Sequence, residues 1–134
     1  MQITASEKGE QRTFVLVFDP GESVIDVMDS FVEEHDIKLA AFNAIGGFEA
    51  VKLGFFNLET RGFDEIPFES DQVEVLSLSG EITRENGRPR VHGHTVIGMR
   101  DGSTRGGHLL SAVVRPILIV NVEELEHQSQ QPHH

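Results

Sequence analysis

The sequence has no cysteine, no tryptophan and no tyrosine, and these absences narrow the chemistry open to it. Without cysteine the chain cannot form disulfides, thiolate metal sites or a thiol nucleophile, so any bound metal must be held by His, Asp or Glu. Nine phenylalanines carry all the aromatic content. Because they alternate within apolar strand segments, we expect them in the core rather than stacked on nucleic-acid bases.

Long apolar runs are also missing. No segment approaches the ~18–20 apolar residues that a membrane helix needs. The first ten residues have neither the basic flank nor the apolar run of a signal peptide. The sequence therefore predicts a cytoplasmic protein with no membrane partner.

Basic residues are scarce, because 11 Lys and Arg stand against 22 Asp and Glu, for a formal net charge of −11. Proteins bind a phosphate backbone by displacing counterions with Lys and Arg, so nucleic acid is a doubtful partner. Gly87-Arg88-Pro89 matches the core of an AT-hook, but it lies between two strand patterns and is interpreted as a hairpin turn. Five arginines that cluster in one third of the chain are interpreted as solvated hairpin residues: Arg84, Arg88, Arg90, Arg100 and Arg105.

The length of 134 residues fits a single domain with its own core. We assign residues 1–124 to that domain and 125–134 to a polar C-terminal tail that we expect to be disordered. Apolar residues at i, i+3 and i+4 spacing predict one amphipathic helix over about 22–36. His35 falls at the end of this helix, where the negative dipole terminus favours it, and not in a metal site.

The rest of the chain has the pattern of short strands. Strands are predicted at 11–18, 51–57, 62–68, 73–82, 89–99, 107–114 and 117–122. Asn86-Gly87 and Asp101-Gly102 mark tight turns between them. One helix with a run of hairpin-connected strands indicates an α+β fold, a mostly antiparallel, barrel-like sheet with the helix packed on it.

Three histidines, His92, His94 and His108, are the main candidates for a chemical site. Neutral imidazole is the commonest metal ligand in proteins, and two residues that lie two apart on a strand face the same side. His92 and His94 therefore present a pair of ring nitrogens. Three imidazoles with an open fourth position are typical of a catalytic zinc or iron site rather than a closed structural one.

The face of His108 depends on the turn that precedes it. A two-residue loop at 101–102 would place it opposite Thr95, on the wrong face of the hairpin. A three-residue loop at 101–103 would place it opposite Val96 and diagonal to His94, on the correct face. A bulge at Gly106-Gly107 is a second way to turn the ring toward the pair.

Other interpretations of the same region remain open. The three histidines can instead be half-exposed strand residues that bond to backbone or water. Gly106-Gly107 resembles a phosphate-binding loop only weakly, since no helix follows it. The nearby carboxylates have no spacing that fixes acid and base roles: Glu74, Glu81 and Asp101.

Several segments together resemble the plant and prokaryote conserved (PPC) domain in its stand-alone prokaryotic form. They are the run at 46–57 (GGFEAVKLGFFN), the strand at 73–82 (VEVLSLSGEI), the run at 87–94 (GRPRVHGH), Asp101-Gly102, and Gly106 to Leu110 (GGHLL). Each piece is common, but the combination is specific, and the likeness covers nearly the whole chain.

This resemblance implies a small α+β domain that assembles as a homotrimer. The fold is also similar to that of acetolactate decarboxylase, whose metal is held by a His-x-His pair and a third histidine, positions that His92, His94 and His108 match. The resemblance thus implies a metal site with zinc as the expected ion, and a physiological role left unassigned. It also offers a DNA-binding or transcription-associated protein, or a metal-dependent enzyme of lyase or decarboxylase type acting on a small molecule at the metal.

Overall fold

The computed structural model describes residues 1–68 and 72–125. In these ranges the chain forms one helix, α1 (Val24–Glu34), and seven strands. The strands are β1 (Gln2–Lys8), β2 (Gln11–Phe18), β3 (Ala40–Asn57), β4 (Gly62–Phe68), β5 (Val73–Glu85), β6 (Arg88–Gly98) and β7 (Thr104–Glu124). All described pairings between them are antiparallel, which confirms the predicted α+β class.

The sheet closes partly on itself. Its strand order is β1-β2-β7-β6-β5-β3-β4, and β3 pairs with β7 as well. Strands β7, β6, β5 and β3 therefore form a ring, while β1 and β2 extend from β7 and β4 extends from β3. Closing a ring removes most exposed strand edges, and it fixes which face of each strand points inward.

Helix α1 covers the sheet with the stripe predicted from its sequence. Val24, Met28, Phe31 and Val32 are buried against the core. The helix is two residues shorter at each end than predicted. At the C-terminal end the cause is a turn at Asp36, whose positive φ of 51° lets the amide of Ile37 donate to the carbonyl of Val32 at 3.0 Å.

The core fills the space between the helix and the inner faces of the ring. It contains five of the nine phenylalanines, which confirms the predicted location for those five: Phe14, Phe18, Phe31, Phe42 and Phe48. Thr95 is the buried polar residue of the described chain, and its hydroxyl donates to the carbonyl of Ser77 at 2.8 Å. Inner-face burial thus follows the period-two alternation expected of strands.

Three strands differ from the prediction. β1 was not foreseen, since all its residues are exposed and its sequence carries no apolar alternation. β3 extends the strand predicted at 51–57 back to Ala40, and β7 is one long strand where two strands, 107–114 and 117–122, were predicted. A Cβ at Gly46 would lie 2.2 Å from the carbonyl oxygen of Ile117, so Gly46 marks a close crossing of β3 and β7.

The interpretation of Arg84 as a solvated hairpin residue was wrong. Its side chain is only 20% exposed and forms an ion pair with Glu33. Its guanidinium donates to the carbonyls of Ile37, at 2.9 Å, and Val32, at 3.3 Å. A planar fork of donors suits this position, because it reaches backbone carbonyls at the end of α1 and just after it. Arg84 therefore fastens the helix end to the β5–β6 hairpin.

The described residues contain no helix with the length and apolar character needed to cross a membrane. The predicted tail at 125–134 lies outside the described residues except for Leu125.

Candidate metal site

The turn between β6 and β7 sets the register of the three histidines. The amide of Met99 donates to the carbonyl of Ser103 at 2.8 Å, which closes a three-residue loop over 100–102 with Gly102 at φ 89°. Asp101 holds this loop by accepting from the amide of Ser103 at 2.9 Å. A three-residue loop was the length predicted to give the correct face, but it begins one residue earlier than expected.

This shift of the loop changes the partner of His108. His108 pairs directly with His94, and not with Val96 as the predicted loop required. The alternative of a bulge at Gly106-Gly107 was wrong, because the pairing runs without a shift from Thr104 to His108. These glycines lie inside a strand, so the phosphate-loop interpretation was also wrong.

The three imidazoles form a compact cluster on the outer face of the ring. Nε2 of His92 lies 3.0 Å from Nδ1 of His108. One ring nitrogen from each of the three residues lies within 4.8 Å of the others. The rings of His94 and His108 are perpendicular, with centroids 4.3 Å apart, while those of His92 and His108 stack at 4.9 Å. His92 and His108 are half-buried, and His94 is exposed.

Close backbone contacts beneath the cluster keep these strands in place. A Cβ at Gly80 would lie 2.0 Å from the carbonyl oxygen of His92, and one at Gly107 would lie 2.8 Å from the carbonyl oxygen of Gly54. Real Cβ atoms do not approach backbone this closely, so both positions require glycine. The glycines of β5 and β7 thereby let their neighbouring strands approach and place the histidines side by side.

The electrostatic environment of His108 favours its neutral form. Partial burial lowers the pKa of His108 below its ordinary value of 6.5, and the positive charge that His94 and His92 would carry lowers it further. A neutral imidazole has a free nitrogen lone pair, which is the form that binds metal.

The carboxylates flagged in the sequence do not join the cluster. Glu81 lies opposite His92, and Glu74 lies opposite Gly98, in the pairing of β5 with β6. Neither carboxylate belongs to the group of close donor atoms. Asp101 is occupied in the turn. Among the described residues, the donor set is therefore three imidazole nitrogens.

A groove of about 470 Å³ opens beside His94 and His108. Phe55 and Phe56 line it and are 67% and 38% exposed, so the prediction that all phenylalanines are core residues was wrong for them. Phe63, also exposed, packs edge-on against His108 with ring centroids 4.7 Å apart. Two consecutive phenylalanines in a strand cannot both face inward, and that was the signal available in the sequence.

The remaining histidines lie elsewhere or outside the described residues. His35 is at the C-terminal end of α1, as predicted, where its ring packs against Phe14 and Phe31. His127, His133 and His134 lie outside the described residues.

Comparisons with known proteins give a family. A model of the Plants and Prokaryotes Conserved (PCC) domain matches residues 5–126. No curated protein matches the chain.

Three similar solved structures share the fold over most of their length. A plant- and prokaryote-conserved protein from Pyrococcus horikoshii is 26% identical with a TM-score of 0.83, covering 95% of this chain and 84% of its own. A metal-containing protein from Archaeoglobus fulgidus is 29% identical with a TM-score of 0.80, covering 93% and 84%. A "putative dna binding protein" from Bacteroides thetaiotaomicron is 26% identical with a TM-score of 0.80, covering 93% and 85%.

A more distant likeness bears on the decarboxylase comparison. A Staphylococcus aureus protein of unknown function, similar to alpha-acetolactate decarboxylase, is 16% identical with a TM-score of 0.60. The match covers 92% of this chain and 53% of that one. At this identity the likeness confirms the shared fold, and it carries no statement about the reaction.

Proposed function

The chain belongs to the Plants and Prokaryotes Conserved domain family, and we propose that it binds one divalent metal ion, zinc, through His92, His94 and His108. The observation that carries this proposal is the convergence of three ring nitrogens within 4.8 Å from two strands. The metal-containing relative from Archaeoglobus fulgidus supports it.

One pair of ring nitrogens has a separation close to that of two zinc ligands. With Zn–N bonds of about 2.0–2.1 Å, two ligands of a tetrahedral ion are separated by about 3.3 Å. Nε2 of His92 and Nδ1 of His108 are already 3.0 Å apart. Three imidazoles leave a fourth position open beside the groove, so an ion held here can also take a small oxygen-containing ligand. When bound, zinc supplies a Lewis acid that polarises a carbonyl or lowers the pKa of water. We extend this proposal to a metal-dependent enzymatic activity of lyase type.

Metal analysis tests the site directly. Protein purified without metal-affinity resin, then loaded with zinc and desalted, is expected to retain about one ion per chain. His108→Ala should retain less than about a tenth of that, because two imidazoles alone bind zinc weakly. His35→Ala is the matched control, since it removes a histidine far from the cluster. Equal zinc content in wild type and His108→Ala would refute the site.

A homotrimer is the second part of the proposal. Its support is a patch of apolar side chains on the outer face of β2, β3 and β7, where Ile45 pairs with Ile119 and Ile119 with Val17. Ile45 is 63% exposed and Ile119 is 37% exposed. Exposed apolar patches mark association surfaces, while the number three comes from the family resemblance. Light scattering should give three times the 14.9 kDa monomer mass, and Ile45→Asp should lower it. A monomeric wild type would refute this part.

DNA binding is the weaker candidate. The name of the Bacteroides thetaiotaomicron relative suggests it. Against it stand the net charge of −11 and the ion pairs formed by two of the five clustered arginines. Arg84 is paired with Glu33, and Arg90 with Glu85 at 2.8 Å. The Gly87-Arg88-Pro89 tripeptide lies at the β5–β6 turn and the start of β6, as the hairpin interpretation predicted.

A location in the cytoplasm stays a prediction.

A further inference from the structure

We propose that the groove beside His94 and His108 binds a small monocarboxylate with an apolar tail, its carboxylate directed to the metal position. This inference rests on the proposed metal site and adds the class of ligand. The volume of about 470 Å³ is within the ~300–1,000 Å³ typical of small-molecule sites.

The charge of an ion at the metal position favours an anionic ligand. Among the described residues that line it, none is Asp, Glu, Lys or Arg. Three neutral imidazoles leave a divalent ion with its full positive charge, so the open position favours an anionic oxygen ligand over a cationic amine. The net charge of −11 opposes anions at long range. That repulsion is screened over about 8 Å at physiological ionic strength.

The same lining disfavours phosphate. A phosphate group is usually held by Arg, Lys or a row of backbone amides at a helix N-terminus. The groove offers strand backbone and the hydroxyls of Ser77 and Ser79, which are exposed. One or two hydroxyl donors match the second oxygen of a carboxylate but leave most of a phosphate dianion without partners.

The side chains that line the groove favour a ligand with an apolar tail. Phe55, Phe56 and Val96 line it and are 67%, 38% and 39% exposed. Phe56 packs edge-on against Phe63 at 5.5 Å, and Phe63 packs in turn against His108. An aliphatic chain extending from the metal position therefore contacts a fixed aromatic surface. Covering that surface removes apolar area from water, which favours binding.

Calorimetric titration of the zinc-loaded protein tests the inference with four probes: acetate, butyrate, n-butylamine and inorganic phosphate. Each buried methylene strengthens binding by about fourfold. Butyrate has two methylenes more than acetate and is therefore expected to bind about 15-fold tighter, while n-butylamine and phosphate bind more weakly than butyrate. The zinc-free protein should not bind butyrate.

Two variants distinguish the contribution of the apolar side chains to ligand affinity from that of the metal. Phe55→Ser should reduce the preference for butyrate over acetate to about two- to threefold, with acetate affinity and zinc content unchanged. Leu58→Ser is the matched control, since Leu58 is 77% exposed and does not line the groove. A zinc-loaded protein that binds butyrate no tighter than acetate, or phosphate tighter than both, overturns this inference alone. A protein that retains no zinc overturns the proposed function as well, and metal analysis before titration distinguishes the two results.

Discussion

Gly80→Ala is expected to disrupt the fold and the histidine cluster together. The added Cβ would lie 2.0 Å from the carbonyl oxygen of His92 and 2.7 Å from the Cα of Gly93. Ordinary contacts begin at 3.4 Å, and the obstacle is backbone on the paired strand rather than a side chain that can turn aside. β5 and β6 must therefore move apart by more than 1 Å at the point where His92 is held.

The cost follows from that separation. Forced overpacking costs about 1–3 kcal/mol, and weakening two ladder hydrogen bonds adds about 1 kcal/mol each. A loss of about 3–5 kcal/mol corresponds to a fall in melting temperature of roughly 10–20 °C for a domain of this size. Because His92 moves with its strand, the folded variant should also bind zinc more weakly.

Thermal unfolding by calorimetry and zinc titration measure these two effects. Gly62→Ala is the matched control, because its Cβ would meet nothing nearer than Thr60 Oγ1 at 3.9 Å and it needs no positive φ. That variant should melt within about 2 °C of wild type. If the free energies of unfolding of Gly80→Ala and Gly62→Ala differ by less than 1 kcal/mol, the close approach of β5 and β6 does not hold the site.

Three further predictions follow from the charges and hydrogen bonds. The folded-state pKa of His108 lies below 6.5, so the unfolded chain binds more protons than the folded chain under acid conditions. The urea concentration at the unfolding midpoint of the metal-free protein should therefore fall between pH 7 and pH 5. This fall should be smaller in His108→Asn. Arg84→Met should lower the free energy of unfolding measured with urea by about 1–3 kcal/mol, because the carbonyls at the helix end lose a donor. Arg84→Lys should restore only part of that free energy, and full restoration by lysine would contradict the role of the planar guanidinium. Fluorescence anisotropy with duplex DNA at 150 mM salt should show no binding at micromolar protein, and saturable binding there would restore the DNA candidate.

Local sequence patterns determined much of this protein. The stripe from Val24 to Val32 predicts α1 because burial of one helix face needs only 3.6-residue periodicity. Asn86-Gly87 predicts its hairpin because both residues accept positive φ, and the structure has them at 55° and 79°. The absence of cysteine and the His-x-His spacing limited any metal site to imidazole and carboxylate donors before any tertiary contact was known.

Tertiary structure decided what local patterns leave open. The face of His108 depends on the length of the turn, and only the pairing of β6 with β7 places it directly opposite His94 rather than Val96. The close approach at Gly80 depends on how tightly β5 and β6 pair, and the exposure of Phe55 depends on which strands lie beside β3. The sequence by itself determined which side chains can act and on which strand each lies. The closed ring of strands decided which of them meet, because pairing partners and inward faces are set by long-range contacts that no short segment encodes.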